Sequence, residues 1–208
     1  MQQNLTDWDV ADLARTAEGR PAPTRSRHLR LRAVDPADHP LLYQWENHPE
    51  VRGLLGYREP APSLGIFEER MRLDPTRQLV ATRPDGTPVV WLSLYNRNAA
   101  DGYAWLSVVA DPGTRSTGLG IEAAALFLTQ LFLTTAMRKI YADSYDNALR
   151  QYRSGIDRYF RVEARLREHI FLDGRYRDRF TIAVYRDEWL KKAGRIARAL
   201  RFEPWTEG

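Results

Sequence analysis

The alternation of apolar and polar positions along the chain predicts a mixed α/β domain built around an antiparallel meander. Three strand-like runs follow in close order, Gln78–Arg83, Pro88–Tyr95 and Gly102–Ala110, separated by Pro84-Asp85-Gly86 and by Asn96–Asp101. The Asp-Gly pair is a hairpin signal, because a tight two-residue turn needs positions that tolerate positive φ. Ahead of the meander, His28–Val34 alternates as a half-buried or edge strand does. Asp38–Trp45 then reads as a helix that His48-Pro49-Glu50 ends or bends, and a second helix is predicted from about Ser63 to Leu73. Behind the meander, Ile121–Ala136 has no Pro or Gly and is dense in Ala, Leu and Phe. It predicts a long helix with Ile121, Ala125, Leu128, Phe132 and Ala136 as its core stripe. Lys139–Asp143 reads as a strand and Asn147–Ile156 as a short helix. Two more strands are expected near Arg161–Phe171 and Arg179–Tyr185, turned by Asp173-Gly174.

The ends of the chain read differently from its middle. Residues 1–27 look like an extension, with Thr6 capping a short helix that carries Trp8 and Leu13 and the linker-like run Arg20–Thr24 after it. Residues 28–188 form the expected folded domain, and 189–208 an amphipathic helix and tail. The stripe Trp189, Ala193, Ile196, Leu200 should dock on the domain or on a second subunit, so a monomer or homodimer is expected. With 208 residues, one domain plus extensions is the simplest organisation.

Composition narrows the class. Hydrophobic residues at 43% and charged residues at 28% suit a soluble globular protein. No Cys is present, so disulfides, thiolate nucleophiles and Cys-based metal sites are excluded. The N-terminus lacks the basic and apolar regions of a signal peptide, and no apolar run is long enough to span a bilayer. A cytoplasmic protein with no membrane association is expected. The four histidines show no metal-ligand spacing, and no metal is expected. Trp45, Trp91 and Trp105 read as core or pocket walls. The net charge of +4 is carried unevenly by arginines between 150 and 179 and by the C-terminal helix. That excess favours anionic ligands such as a coenzyme, tRNA or an acidic substrate, or is simply a solvated arginine-rich surface.

The chemistry concentrates in Arg115-Ser116-Thr117-Gly118-Leu119-Gly120, between a strand and the long helix. A glycine-bearing turn that opens a helix leaves unpaired N–H groups pointing one way, with the positive end of the helix dipole behind them. Such a cradle holds phosphate or pyrophosphate. A P-loop would need Lys and Ser or Thr after the second glycine, and Ile121-Glu122 stand there instead. Gly118-x-Gly120-x-x-Ala123, with Asp143 ending the next strand, also fits a dinucleotide fingerprint. That fold begins with the glycine turn, whereas here a meander comes first and the remaining chain is too short for its second half.

The Arg-x-x-Gly-x-Gly loop after a strand of a mixed sheet resembles the pyrophosphate loop of the GNAT N-acetyltransferase superfamily. Leu41–Val51 resembles the first-helix segment of the branch that includes ribosomal-protein N-terminal acetyltransferases. Asn147, Phe160–Glu168, Asp173–Asp178 and Arg186-Asp187-Glu188-Trp189 resemble that branch's later segments, in the same order over roughly residues 28–189. The resemblance implies a mixed, mostly antiparallel sheet split into a V and flanked by helices, with acetyl-CoA as acyl donor and no metal. Val108 and Val109 would offer backbone groups to the pantetheine arm. Arg115, Ser116, Thr117, Gly118, Leu119, Gly120 and Ile121 would surround the pyrophosphate, and Asn147 would lie along the coenzyme. The acceptor would be the primary amine of a small molecule or peptide.

Direct transfer needs a group to take the amine's proton and another to protonate the departing thiolate. The superfamily often places the acid Tyr four residues before a Gly-Phe pair. Here that pair reads Tyr159-Phe160, and four residues before it stands Gly155. Tyr152, with Ser154 behind it, is the remaining acid candidate. Glu46, Asp143 and Asp146 are the candidate carboxylates, Asp146 reading also as a helix cap. The Arg-rich late segment leaves aminoacyl transfer from tRNA as an alternative on the same fold. The missing Tyr leaves a non-catalytic acyl-CoA-binding or sensor protein as another.

Overall fold

Seven strands form a single sheet in the computed structural model, which describes residues 21–73, 78–114, 116–172 and 174–204. They are β1 (Arg30–Ala33), β2 (Gln78–Thr82), β3 (Pro88–Asn98), β4 (Tyr103–Ala110), β5 (Lys139–Tyr145), β6 (Arg161–Leu172) and β7 (Arg175–Tyr185), in spatial order β1-β2-β3-β4-β5-β7-β6. All neighbours run antiparallel except β4 and β5, which are parallel. A parallel pair needs a crossover, and α4 (Leu119–Thr134) supplies it. In the meander, Asp85 accepts from the Thr87 amide at 2.9 Å and Gly86 turns with φ +91°. The expected hairpin forms where Asp-Gly stands.

Side chains alternate between two helical layers. Val90, Leu92 and Leu94 of β3, with Ala104 and Leu106 of β4, pack against α4 and α6 (Arg186–Leu200). On the opposite face, Val80, Trp91 and Val109 meet Leu42 and Trp45 of α1 (His39–Asn47), Val51 of α2 (Pro49–Leu55) and Phe67 of α3 (Leu64–Leu73). His48 is extended, with ψ 132°, and bends the chain between α1 and α2. Trp45 and Trp91 are core residues, as their pattern predicts, while Trp105 stacks on Tyr141 with ring centroids 4.6 Å apart.

The stripe expected on the long helix is corrected. Ile121 is 60% exposed at its first turn, and Ala136 lies beyond its end and is exposed. Ala125, Leu128 and Phe132 are buried as expected, and Ala123, Leu126, Phe127 and Leu131 are buried beside them on further sides of the helix. The reason is that α4 packs on β3 and β4 with one side and against α6 with another. Trp189 donates from Nε1 to Thr129 Oγ1 at 2.9 Å, and Ala193 and Ile196 are buried with it. The C-terminal helix therefore docks on this domain.

The run read as a linker is fastened down over its described part. Ala22 and Leu29 are buried, and the Thr24 and Arg25 amides both donate to the Glu203 carbonyl at 3.0 Å. Ser26 Oγ (2.7 Å) and the His28 amide (3.0 Å) donate to Glu122 Oε1. Nδ1 of His28 lies 3.0 Å from the other oxygen. The helix expected near Thr6 lies outside the described residues.

Candidate functional site

The site follows from where the parallel pair stops. β4 and β5 are paired at Tyr103–Lys139, Ala104–Ile140 and Trp105–Tyr141. Past that point β4 continues through Leu106–Ala110 bonded to β3, and β5 continues through Ala142–Tyr145 bonded to β7. The sheet forks, leaving two strand arms with inward backbone groups that no neighbouring strand takes among the described residues.

The glycine turn stands at the mouth of this fork. After β4, Pro112–Thr114 make one 3-10 turn, Ser116 takes φ +68° and Gly118 φ +82°. Gly118 is the N-cap of α4 and offers no side chain to its first-turn amides. Thr117 Oγ1 donates to the Thr114 carbonyl at 2.5 Å and lies 3.5 Å from the Leu119 amide. A Cβ on Gly118 would meet nothing within 4 Å, so its requirement for glycine comes from the left-handed φ. A Cβ on Gly120 would lie 3.9 Å from Val108 and Ala110, which puts the helix start directly against the free arm of β4. Val108 is 37% exposed there, whereas Val109 turns into the opposite core. These residues fit a pyrophosphate-bearing coenzyme: bare amides, a dipole end and an open strand edge meet at one place. Ser116, Thr117, Gly118, Leu119, Gly120, Ile121, Val108 and Val109 are thus brought together. Arg115 lies outside the described residues.

On the other arm, α5 (Asp146–Leu149) starts directly after β5, with Asn147 at its second position and the Asn147 side chain outside the description. Asp146 is the first helical residue and pairs with Arg177 at 3.5 Å. A 3-10 turn, Arg150–Gly155, replaces the longer helix expected, and Tyr152 and Ser154 are exposed on it. Beneath lies a cavity of about 460 Å³ lined by Asp146, Leu149, Arg153, Ile156 and Phe180. A Cβ on Gly155 would come within 2.5 Å of the Phe160 ring. The space for a side chain at 155 is filled by Phe160, and Tyr159 packs edge-on to Trp189 at 6.4 Å. The departure from the superfamily's Tyr and Gly-Phe pattern is therefore one local repacking.

The opposite face of the fork carries ionisable groups that the linear pattern does not link. Glu46 is buried on α1, 2.5 Å from Arg70 and 3.3 Å from the Tyr57 hydroxyl. Burial, and then Glu46, push the Tyr57 phenol up. Burial, followed by Asp143, pushes Tyr95 up to about 12. Burial raises Tyr145 as well. Asp143 accepts from Thr181 Oγ1 at 2.8 Å and from Arg179, whose guanidinium it raises. Strand parity places Tyr141, Asp143 and Tyr145 on one face of β5, and Arg179 is the register partner of Tyr145. Tyr57, Tyr95, Tyr145 and Arg179 were not singled out by sequence; alternation on β5 is the signal that finds Tyr145.

A forked α/β sheet with a glycine-capped helix start at its mouth is the architecture of an acyltransferase fold. The chain belongs to the acetyltransferase (GNAT) family, whose domain model matches residues 28–150. It is thus a GNAT-type N-acetyltransferase, with acetyl-CoA as donor. No curated protein sequence matches the chain. Among solved structures, it is similar to spermidine N-acetyltransferase from Vibrio cholerae in complex with CoA and spermine. That match has a TM-score of 0.72 and 20% identity, over 78% of this chain and 98% of that one. A chimera of the Vibrio cholerae enzyme SpeG with hSSAT matches with a TM-score of 0.70 and 18% identity, over 78% and 98%. At these identities the likeness concerns the fold. Among the described residues, no helix is long and apolar enough to cross a membrane, and no group of three metal-ligating side chains occurs.

Proposed function

We propose that this protein transfers the acetyl group of acetyl-CoA to the primary amine of a small molecule or peptide. The observation that carries this reading is the fork between β4 and β5 with the Gly118–Gly120 helix start at its mouth. Bound acetyl-CoA would supply an activated thioester carbonyl. The amides of Ser116 and of 118–121 and the Arg115 charge would hold its pyrophosphate, with the Thr117 amide turned to the Thr114 carbonyl, and Asn147 would border it. A backbone N–H at Val108 or Val109 would polarise the carbonyl. Tyr152, backed by Ser154, would return a proton to the thiolate. Glu46 would act toward the amine's proton through Tyr57, since its own carboxylate is held by Arg70. The small-amine acceptors of the similar solved structures support a small molecule. The likeness of Leu41–Val51 to the ribosomal-protein branch supports a peptide amine.

Gly120→Trp is the direct test. Its side chain would lie over Val108 and Ala110, so acetyl-CoA binding by calorimetry should be lost while circular dichroism stays unchanged. Unaltered affinity would refute the seat. For Tyr152→Phe, kcat should drop about a hundredfold with acetyl-CoA affinity kept; full turnover would remove Tyr152 from the reaction.

A further inference from the structure

The acceptor face of the fork has a charge pattern that bears on which amine it takes, given the transferase reading above. Three carboxylates stand on it, and each is matched by an arginine. Glu46 is paired with Arg70 at 2.5 Å, Asp143 with Arg179, and Asp146 with Arg177 at 3.5 Å. Ile170 and Arg177 are register partners, as are Tyr145 and Arg179. Partners across a ladder share a face. A Cβ on Gly56, at φ +73°, would run into the Tyr145 hydroxyl and Ile170, so the turn after α2 closes over that same face. The turn continues into Tyr57 and exposed Arg58, whose charge acts on Tyr145. Glu59 enters through its backbone carbonyl, which accepts from Arg52.

To reach Glu46, Asp143 or Asp146 a polycationic acceptor would have to displace an arginine already in place. Of the two exposed charged residues on the turn, Arg58 and Glu59, it is Arg58 whose charge acts on Tyr145. The buried Nε of Arg179 finds no acceptor among the described residues. We propose that the acceptor is an amine that also carries an anionic group, carboxylate or phosphate, which Arg58 and Arg179 seat beside Tyr145 while the amine points into the fork. A guanidinium is suited to this because it offers a planar fork of donors to two oxygens at once.

The test uses the purified full-length protein and follows thiol release from acetyl-CoA with phosphoethanolamine, 4-aminobutyrate, ethanolamine and spermidine. The two anionic amines should show the highest kcat/KM, and comparison between them separates phosphate from carboxylate. Arg58→Glu should raise KM for the anionic amines about tenfold or more, leave ethanolamine within about twofold, and improve spermidine. Calorimetric titration of the better anionic amine into the protein with CoA should show the same weakening without turnover. Spermidine or ethanolamine equalling the anionic amines, or an unchanged order in Arg58→Glu, would overturn the inference and leave the transferase reading standing. Acetyl-CoA binding with no thiol release from any of the four would also overturn the inference, and the transferase reading would fall only if peptide amines were inert as well.

Discussion

At Gly155 a single missing side chain has a structural cause. The superfamily pattern leads one to look for a tyrosine there, and its absence suggests lost catalysis when only the residue string is in view. The Phe160 ring occupies the space, 2.5 Å from where a Cβ would stand, and the ring of Tyr159 goes to Trp189. Gly155→Tyr should therefore fail to install an acid and should destabilise the protein by about 1–3 kcal/mol through overpacking. A thermal melt with unchanged midpoint, or a gain in kcat, would contradict this. The same scale shows why the ionic face of the fork was only partly legible. Glu46 and Asp143 are recognisable as carboxylates in the chain. Their partners Arg70 and Arg179 lie 24 and 36 residues away, and nothing local announces either pairing.

Among the elements, strands were easier to read than helices. The meander strands begin within one residue of the expected positions because apolar runs and Asp-Gly punctuation mark them. β7 starts at Arg175 instead of Arg179, since its first residues are polar and pair with Ile170–Leu172 at the far end of the hairpin. The long helix was placed to within two residues, but its buried surface is wider than the expected stripe, of which Ala125, Leu128 and Phe132 are buried and Ile121 and Ala136 are not. A stripe argument assumes one wet side, and α6 removes it. That docking has a measurable weight. Trp189→Ala should cost about 3–5 kcal/mol, because it empties a buried site and leaves Thr129 Oγ1 without its donor. A loss below 1 kcal/mol in chemical denaturation would mean that α6 contributes little to the core. The glycine turn was the most legible part of the fork, as its geometry resides in backbone and helix end, which the sequence order itself specifies.

Across the whole molecule, the meander and the terminal hairpin are two sheet halves that meet at three residue pairs. The free arms Ser107–Ala110 and Ala142–Tyr145 should be the places where acetyl-CoA slows amide hydrogen exchange most, since a ligand between them would bond to both. Protection confined to α4, with the arms unchanged, would place the coenzyme elsewhere. The short parallel seam has a mechanical consequence. The seam is pinned by the Trp105–Tyr141 stack, with α4 packed on β3 and β4 and α6 linking α4 to β7. One half carries the proposed cradle for the donor and the other carries Asp143, Tyr145 and Arg179. On the proposed reading, a substitution that alters the angle at that pin would change the fit of the donor and of the acceptor together.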